Sequence, residues 1–222
     1  MSVAIAIDGP AGAGKSTIAR LAASELGFIY VDTGALYRAI GLAAQRRGFS
    51  AQDTSAVCAM LHDITVELAF NDNKEQIVLL DKEDVSGLIR TPEISMMASA
   101  VSAIPEVRAY LLDLQRDMAR HNDVIMDGRD IGTVVLPDAQ IKIFLSASAE
   151  CRAKRRYDEL IAKGMDVKFE DVLSDVEARD YADSHREIAP LKPAEGAVIV
   201  DTSGEDLETS INKLLGIMRE LL

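Results

Sequence analysis

The chain has 222 residues, enough for one α/β domain with a sizeable core plus an insert. Its formal net charge of −12 argues against non-specific binding to nucleic acid or to an anionic membrane, and makes local arginine clusters informative. Two well-separated cysteines, Cys58 and Cys151, and three histidines, His62, His121 and His185, form no metal-type spacing and no disulfide framework.

Val3 to Ile7 is a short apolar run with the character of a buried strand, so no signal peptide is expected. Gly9-Pro10-Ala11-Gly12-Ala13-Gly14-Lys15-Ser16 then fits G-x-x-x-x-G-K-[ST], and Ser16 to Leu26 reads as a helix with Ile18, Leu21, Ala22 and Leu26 on one face. A triphosphate concentrates negative charge. Glycines let backbone N–H groups approach its oxygens, and a helix N-terminus adds partial positive charge. Lys15 can reach the β- and γ-phosphates, and the Ser16 hydroxyl can take a Mg²⁺ position. Gly9 through Thr17 are thus the candidate donor-nucleotide-binding residues, with Ser16 as the candidate metal ligand.

Phe28 to Val31 reads as a second strand, followed by Asp32-Thr33-Gly34 and a helix from Ala35 to about Arg47. A carboxylate and a hydroxyl between a strand end and a helix start suit a ligand site, a helix cap, or both. Asp53 to His62 is a further short helix. The period then changes. Ile64, Val66 and Leu68 alternate with polar residues, Asn71-Asp72-Asn73-Lys74 is a turn signal, and Gln76 to Leu80 returns. An antiparallel hairpin inside an alternating chain marks an inserted segment at about 63–95.

Pro92–Ser102 and Pro105–Arg120 read as helices, with Ser99 and Arg108 flanking their junction. Val124 to Met126 is a core strand running into Asp127-Gly128-Arg129-Asp130-Ile131-Gly132, read as a loop. Acids, an arginine and glycines at the carboxyl end of a buried strand suit a ligand site. Ile141 to Leu145 is the next strand. The helix Glu150–Lys163 carries Arg152, Arg155 and Arg156 on one face, which favours a lid over phosphates at about 150–165. The long helix Lys168–His185 bears Arg179 and Asp183, with Arg186 just beyond. Ala197 to Val200 is the last strand and Asp206 to Leu222 the closing helix. The expected fold is α/β: a P-loop kinase core with a five-stranded parallel sheet between helices, at about 1–62 and 96–222.

No N-K-x-D guanine-reading motif is present, so a GTPase switch is disfavoured. Arg38, Arg108, Arg129, Arg179 and Arg186 offer planar donor forks for a second phosphate. Two phosphate sites imply transfer between them. An anionic acceptor needs no general base, so alignment and charge stabilisation suffice. A kinase for another acceptor, or a regulator that binds nucleotide without turnover, are the competing readings.

Ile7 through Thr17, Asp32 through Arg38, Asp127-Gly128-Arg129-Asp130-Ile131-Gly132-Thr133-Val134-Val135, Lys142–Leu145, and Arg179 through Leu191 together resemble the bacterial cytidylate kinases of the nucleoside monophosphate kinase family. The resemblance spans nearly the whole chain. It implies transfer of the ATP γ-phosphoryl group to CMP or dCMP with Mg²⁺, by a monomer. The acidic charge, with no signal peptide or membrane-spanning run expected, fits a cytoplasmic enzyme that binds neither nucleic acid nor membrane. By family position, Ser99, Arg108 and Asp130 would face cytosine and Asp183 the sugar hydroxyls. Arg38, Arg129, Arg179 and Arg186 would grip phosphate, with Lys15, Arg129, Arg179 and Arg186 catalytic. Thr33 and Tyr37 would line the acceptor pocket, and Arg156 would contact the donor nucleotide. The family often has Ser where this chain has Thr33, which changes pocket volume more than chemistry.

Overall fold

The computed structural model describes residues 2–50, 52–71 and 76–222. In chain order the elements are β1 (Ala4–Asp8), α1 (Lys15–Leu26), β2 (Ile29–Asp32), α2 (Thr33–Arg46), α3 (Thr54–Met60), β3 (Val66–Phe70), β4 (Gln76–Leu80), β5 (Glu83–Asp84), α4 (Pro92–Val101), α5 (Pro105–His121), β6 (Val124–Gly128), β7 (Ile141–Ser146), α6 (Ala149–Ala162), α7 (Phe169–His185), β8 (Val198–Asp201) and α8 (Leu207–Leu221). They form two compact units. One comprises residues 1–30 and 122–222, the other 31–121.

The first unit is built on a five-stranded sheet in the order β2-β6-β1-β7-β8, with β1 parallel to β6 and β7, and β7 parallel to β8. All five residues of β1 are buried, as expected for a strand covered on both faces. Ile5, Ile7, Ile141, Ile143 and Leu145 cluster with Ile18 and Ala22 of α1 and with Leu214, Leu215 and Met218 of α8. Each such aliphatic side chain contributes about 1.5–3 kcal/mol on burial. The buried stripe of α1 is Ile18, Ala19, Ala22 and Ala23; Leu21 is 39% exposed, outside the face expected for it. The small residues let the helix lie close on the sheet, and Leu21 falls at its margin.

Ile131 and Gly132, expected to end a loop, instead open a five-residue π-helical turn over Ile131–Val135. The reason is Asp8 at the end of β1. Its carboxylate accepts from the N–H groups of Ile131 at 2.7 Å and Gly132 at 2.8 Å, satisfying the turn's first amides from a neighbouring strand.

The second unit packs α2, α3, α4 and α5 with an antiparallel sheet β3-β4-β5 around Leu36, Ile40, Met60, Val78, Ile94 and Leu111. It is wider than the segment 63–95 that holds the hairpin. The Asp32 side chain caps α2 by accepting from Ala35 N at 3.0 Å, and Thr91 caps α4. Of the expected turn 71–74, residues 72–74 lie outside the described residues. Strand β5 had no sequence signal, because its tight turn has no glycine. Asp81 and Lys82 take φ of 51° and 70°, and the Asp81 side chain accepts from Thr65 N at 2.7 Å. Two positive φ values match a two-residue hairpin turn, for which Asp is tolerated.

Candidate active site

The phosphate loop follows β1, the central strand, at the carboxyl end of the sheet where the chain's connections diverge to either side. Gly9 is required there: a Cβ would sit 1.9 Å from the Leu145 carbonyl oxygen. Gly14 takes φ 88° as it turns the chain into α1. The chemistry inside the loop is compressed. Lys15 is buried and its Nζ donates to the Pro10 carbonyl at 2.7 Å. Burial lowers its pKa to about 7, reinforced by the nearby Arg129 charge and opposed by Asp127, Asp8 and Asp183. Asp8 is pushed up to about 6 by burial, with the Gly132 and Ile131 amides pulling the other way.

Ser16 Oγ donates to Asp127 Oδ2 at 2.9 Å, and Tyr30 Oη donates to Asp127 Oδ1 at 2.9 Å. A serine hydroxyl beside a carboxylate is an oxygen donor pair suited to Mg²⁺, which takes one or two protein oxygens and fills its shell with water and phosphate. Sequence reasoning named Ser16 as the ligand and placed Asp127 in a functional loop, with Asp127 or Asp32 as the base that an alcohol acceptor would need, but not beside the metal. The missed signal was an aspartate directly ending an apolar strand.

Beyond the loop, Arg129 Nε donates to Asp183 Oδ2 at 2.9 Å, and Arg186 Nη2 lies 3.5 Å from Asp130 Oδ1. Arg186 Nε also donates to the Ala189 carbonyl at 2.5 Å. Four of the candidate residues are thus drawn together, with Arg179 half-buried on the same helix as Asp183. Arg156 does not join them; it stands at the surface of α6, 3.3 Å from Glu159. Arg152, expected on the same lid face, turns inward and is buried.

The second unit gathers the other candidates. Thr33 is buried at the start of α2. Arg38 pairs with Asp32 at 2.7 Å, and its Nε is buried with no hydrogen-bond partner among the described residues, a donor suited to an anion. The Arg108 guanidinium lies 5.6 Å from the centroid of the Tyr37 ring and donates to the Ser102 carbonyl at 3.1 Å. Ser99 lies on α4 and its carbonyl accepts from Ser102 Oγ.

A parallel sheet whose central strand feeds a glycine-rich loop and a buried lysine defines a P-loop α/β kinase core. An uncharacterized protein from Eubacterium ventriosum shares this fold with a TM-score of 0.55 at 11% identity, covering 98% of this chain and 99% of its own. A gluconokinase from Sinorhizobium meliloti 1021 does so with a TM-score of 0.50 at 14% identity, covering 99% and 93%. The family described as cytidylate kinase matches residues 5–220. A cytidylate kinase from Carboxydothermus hydrogenoformans is 50% identical over 96% of each chain, and one from Syntrophotalea carbinolica is 49% identical over 97% of this chain and 92% of its own. The chain belongs to the cytidylate kinase family.

Proposed function

We propose that this chain transfers the γ-phosphoryl group of ATP to CMP or dCMP, releasing ADP and the corresponding diphosphate. The observation that carries the reading is the joining, within one compact unit, of a phosphate loop over a buried lysine to two carboxylates held by arginines, Asp183 by Arg129 and Asp130 by Arg186. A bond forms from an acceptor phosphate oxygen to the γ-phosphorus as the bond to the β,γ-bridging oxygen breaks. The acceptor is already anionic, so no base is assigned. Lys15, Arg129, Arg179 and Arg186 stabilise the charge spread over the moving group.

Gly9 through Thr17 hold the donor phosphates, and Arg156 contributes from the lid at about 150–165. Thr33, Tyr37, Arg38, Ser99 and Arg108 bind the acceptor together with Asp130, Asp183 and Arg186, and the segment at about 63–95 serves the acceptor. A carboxylate at Asp130 accepts from the cytosine amino group and repels the uracil carbonyl. Ser16 and Asp127 would hold Mg²⁺, which when bound neutralises phosphate charge and orients the γ-phosphoryl group. No helix among the described residues is long and apolar enough to cross a membrane. From its family membership we assign the protein to the cytoplasm as a monomer.

The test is ADP formation from MgATP with CMP, dCMP, UMP, AMP and dTMP offered separately. Turnover with CMP and dCMP well above the others is expected. Activity with none of them would overturn the acceptor assignment.

A further inference from the structure

Arg152 belongs to the most basic helix of the chain, yet its side chain is only 4% exposed. Four of its five N–H donors are used inward. Nε donates to the Ala147 carbonyl at 2.8 Å, Nη1 to the Ala11 carbonyl at 3.1 Å and to Asp180 Oδ1 at 2.9 Å, and Nη2 to Asp180 Oδ2. Three segments meet on this one guanidinium: the junction after β7, the phosphate loop and α7. The approach to the loop is close. A Cβ on Gly12 would lie 3.3 Å from the Cβ of Arg152.

A loop that turns its amides toward a phosphate must turn carbonyls the other way, and a buried carbonyl needs a donor. Arg152 is that donor for Ala11. The planar fork lets one side chain serve the loop and the Asp180 carboxylate at once, which the point charge of lysine cannot do. Asp180 compensates the buried charge and follows Arg179 on α7, the helix that also carries Asp183. A side chain committed in this way has too few open donors to act as a phosphate-closing finger.

We propose that Arg152 is a positioning residue for the donor nucleotide, bracing Ala11 of the phosphate loop against α7 through Asp180. This deepens the kinase reading and rests on it only for the steady-state part of its test.

The experiment compares wild type with Arg152→Lys and Asp180→Asn. Binding of Mg²⁺ with β,γ-imido-ATP is measured by calorimetry without acceptor, and KM and kcat for ATP and CMP are measured separately. Arg152→Lys is expected to weaken imido-ATP binding and raise KM for ATP about tenfold, with KM for CMP within about twofold. Asp180→Asn, which keeps Arg152 and its bond to Ala11, is expected to move the same constants in the same direction by about threefold. If Arg152→Lys fails to fold, Asp180→Asn carries the test. Equal loss for ATP and CMP, loss of kcat with unchanged imido-ATP binding, or a lowered Tm with unchanged constants would each overturn the proposal. A wild type that binds imido-ATP but does not phosphorylate CMP would overturn the kinase reading, and the binding arm would still decide the role of Arg152.

Discussion

Arg129 Nε donates to Asp183 Oδ2 at 2.9 Å, and beside this pair Asp130 and Arg186 stand 3.5 Å apart with the charges exchanged between the two segments. Adjacent residues after β6 are thus clasped twice to the end of α7. Removing one partner of a mostly buried pair leaves the other without compensation. Asp183→Ala is expected to destabilise the protein by about 3 kcal/mol, measured by urea unfolding. A double-mutant cycle with Arg129→Ala should show a coupling of about 1–3 kcal/mol. Additive effects would mean that the clasp is not an energetic unit.

Lys15 is buried and desolvated, so its charge costs stability while the loop is empty. Lys15→Met keeps the volume and removes that cost. It is expected to lower kcat by about 10²–10³-fold while leaving Tm unchanged or higher. Rapid-quench and thermal-unfolding measurements on the same preparation check both. Near-normal turnover would remove Lys15 from the mechanism.

Asp130 reads the base in the proposed complex. Asp130→Asn exchanges an acceptor-only group for one that also donates, so the uracil carbonyl is no longer repelled. The ratio of kcat/KM for CMP over UMP is expected to fall by about 10–100-fold. An unchanged ratio would move base reading to Ser99 and Arg108.

Ser16 carries the metal assignment on an exposed side chain, so its loss has little to do with packing. Ser16→Ala is expected to raise the Mg²⁺ concentration for half-maximal turnover by about tenfold, with stability changed by less than about 0.5 kcal/mol. A Mg²⁺ titration of initial rates reads this directly. An unshifted titration would leave the hydroxyl as only a partner of Asp127.

Asp8 gives a pH dependence with a definite sign. Its carboxyl is raised from an ordinary 3.8 to about 6, so the folded protein holds this proton more tightly than the unfolded chain does. The associated stability is fully present below about pH 3.8 and is lost as the pH rises through about 6. Relative to Asp8→Asn, wild type is expected to gain on the order of 1 kcal/mol when the pH is lowered from 7 to 5. Denaturant unfolding of both proteins at the two pH values measures it. The opposite sign would mean that the Ile131 and Gly132 amides outweigh burial.

The parallel core was legible because its strands are short, continuous apolar runs between amphipathic helices, and that pattern follows from burial on two faces. The phosphate loop was legible for a similar reason: Gly9, Gly14 and Lys15 meet backbone and charge requirements that few other residues meet. Strand β5 was not legible, since Asp81 and Lys82 adopt the left-handed region without the glycine that would announce it. The turn at 131–135 was also hidden, because its amides are capped by Asp8, more than a hundred residues earlier in the chain.

Arg152 shows where the boundary lies. By itself the sequence determined that this chain folds as an α/β kinase core, that its loop suits phosphate, and which arginines and acids were available. Those properties are local and depend on residue type and spacing. Only the tertiary structure decided which of them pair. It turned Arg152 away from the lid face and onto Ala11 and Asp180, left Arg156 at the surface, and brought Asp127 to Ser16. A side chain's partner is set by packing between distant segments, which helical spacing does not encode.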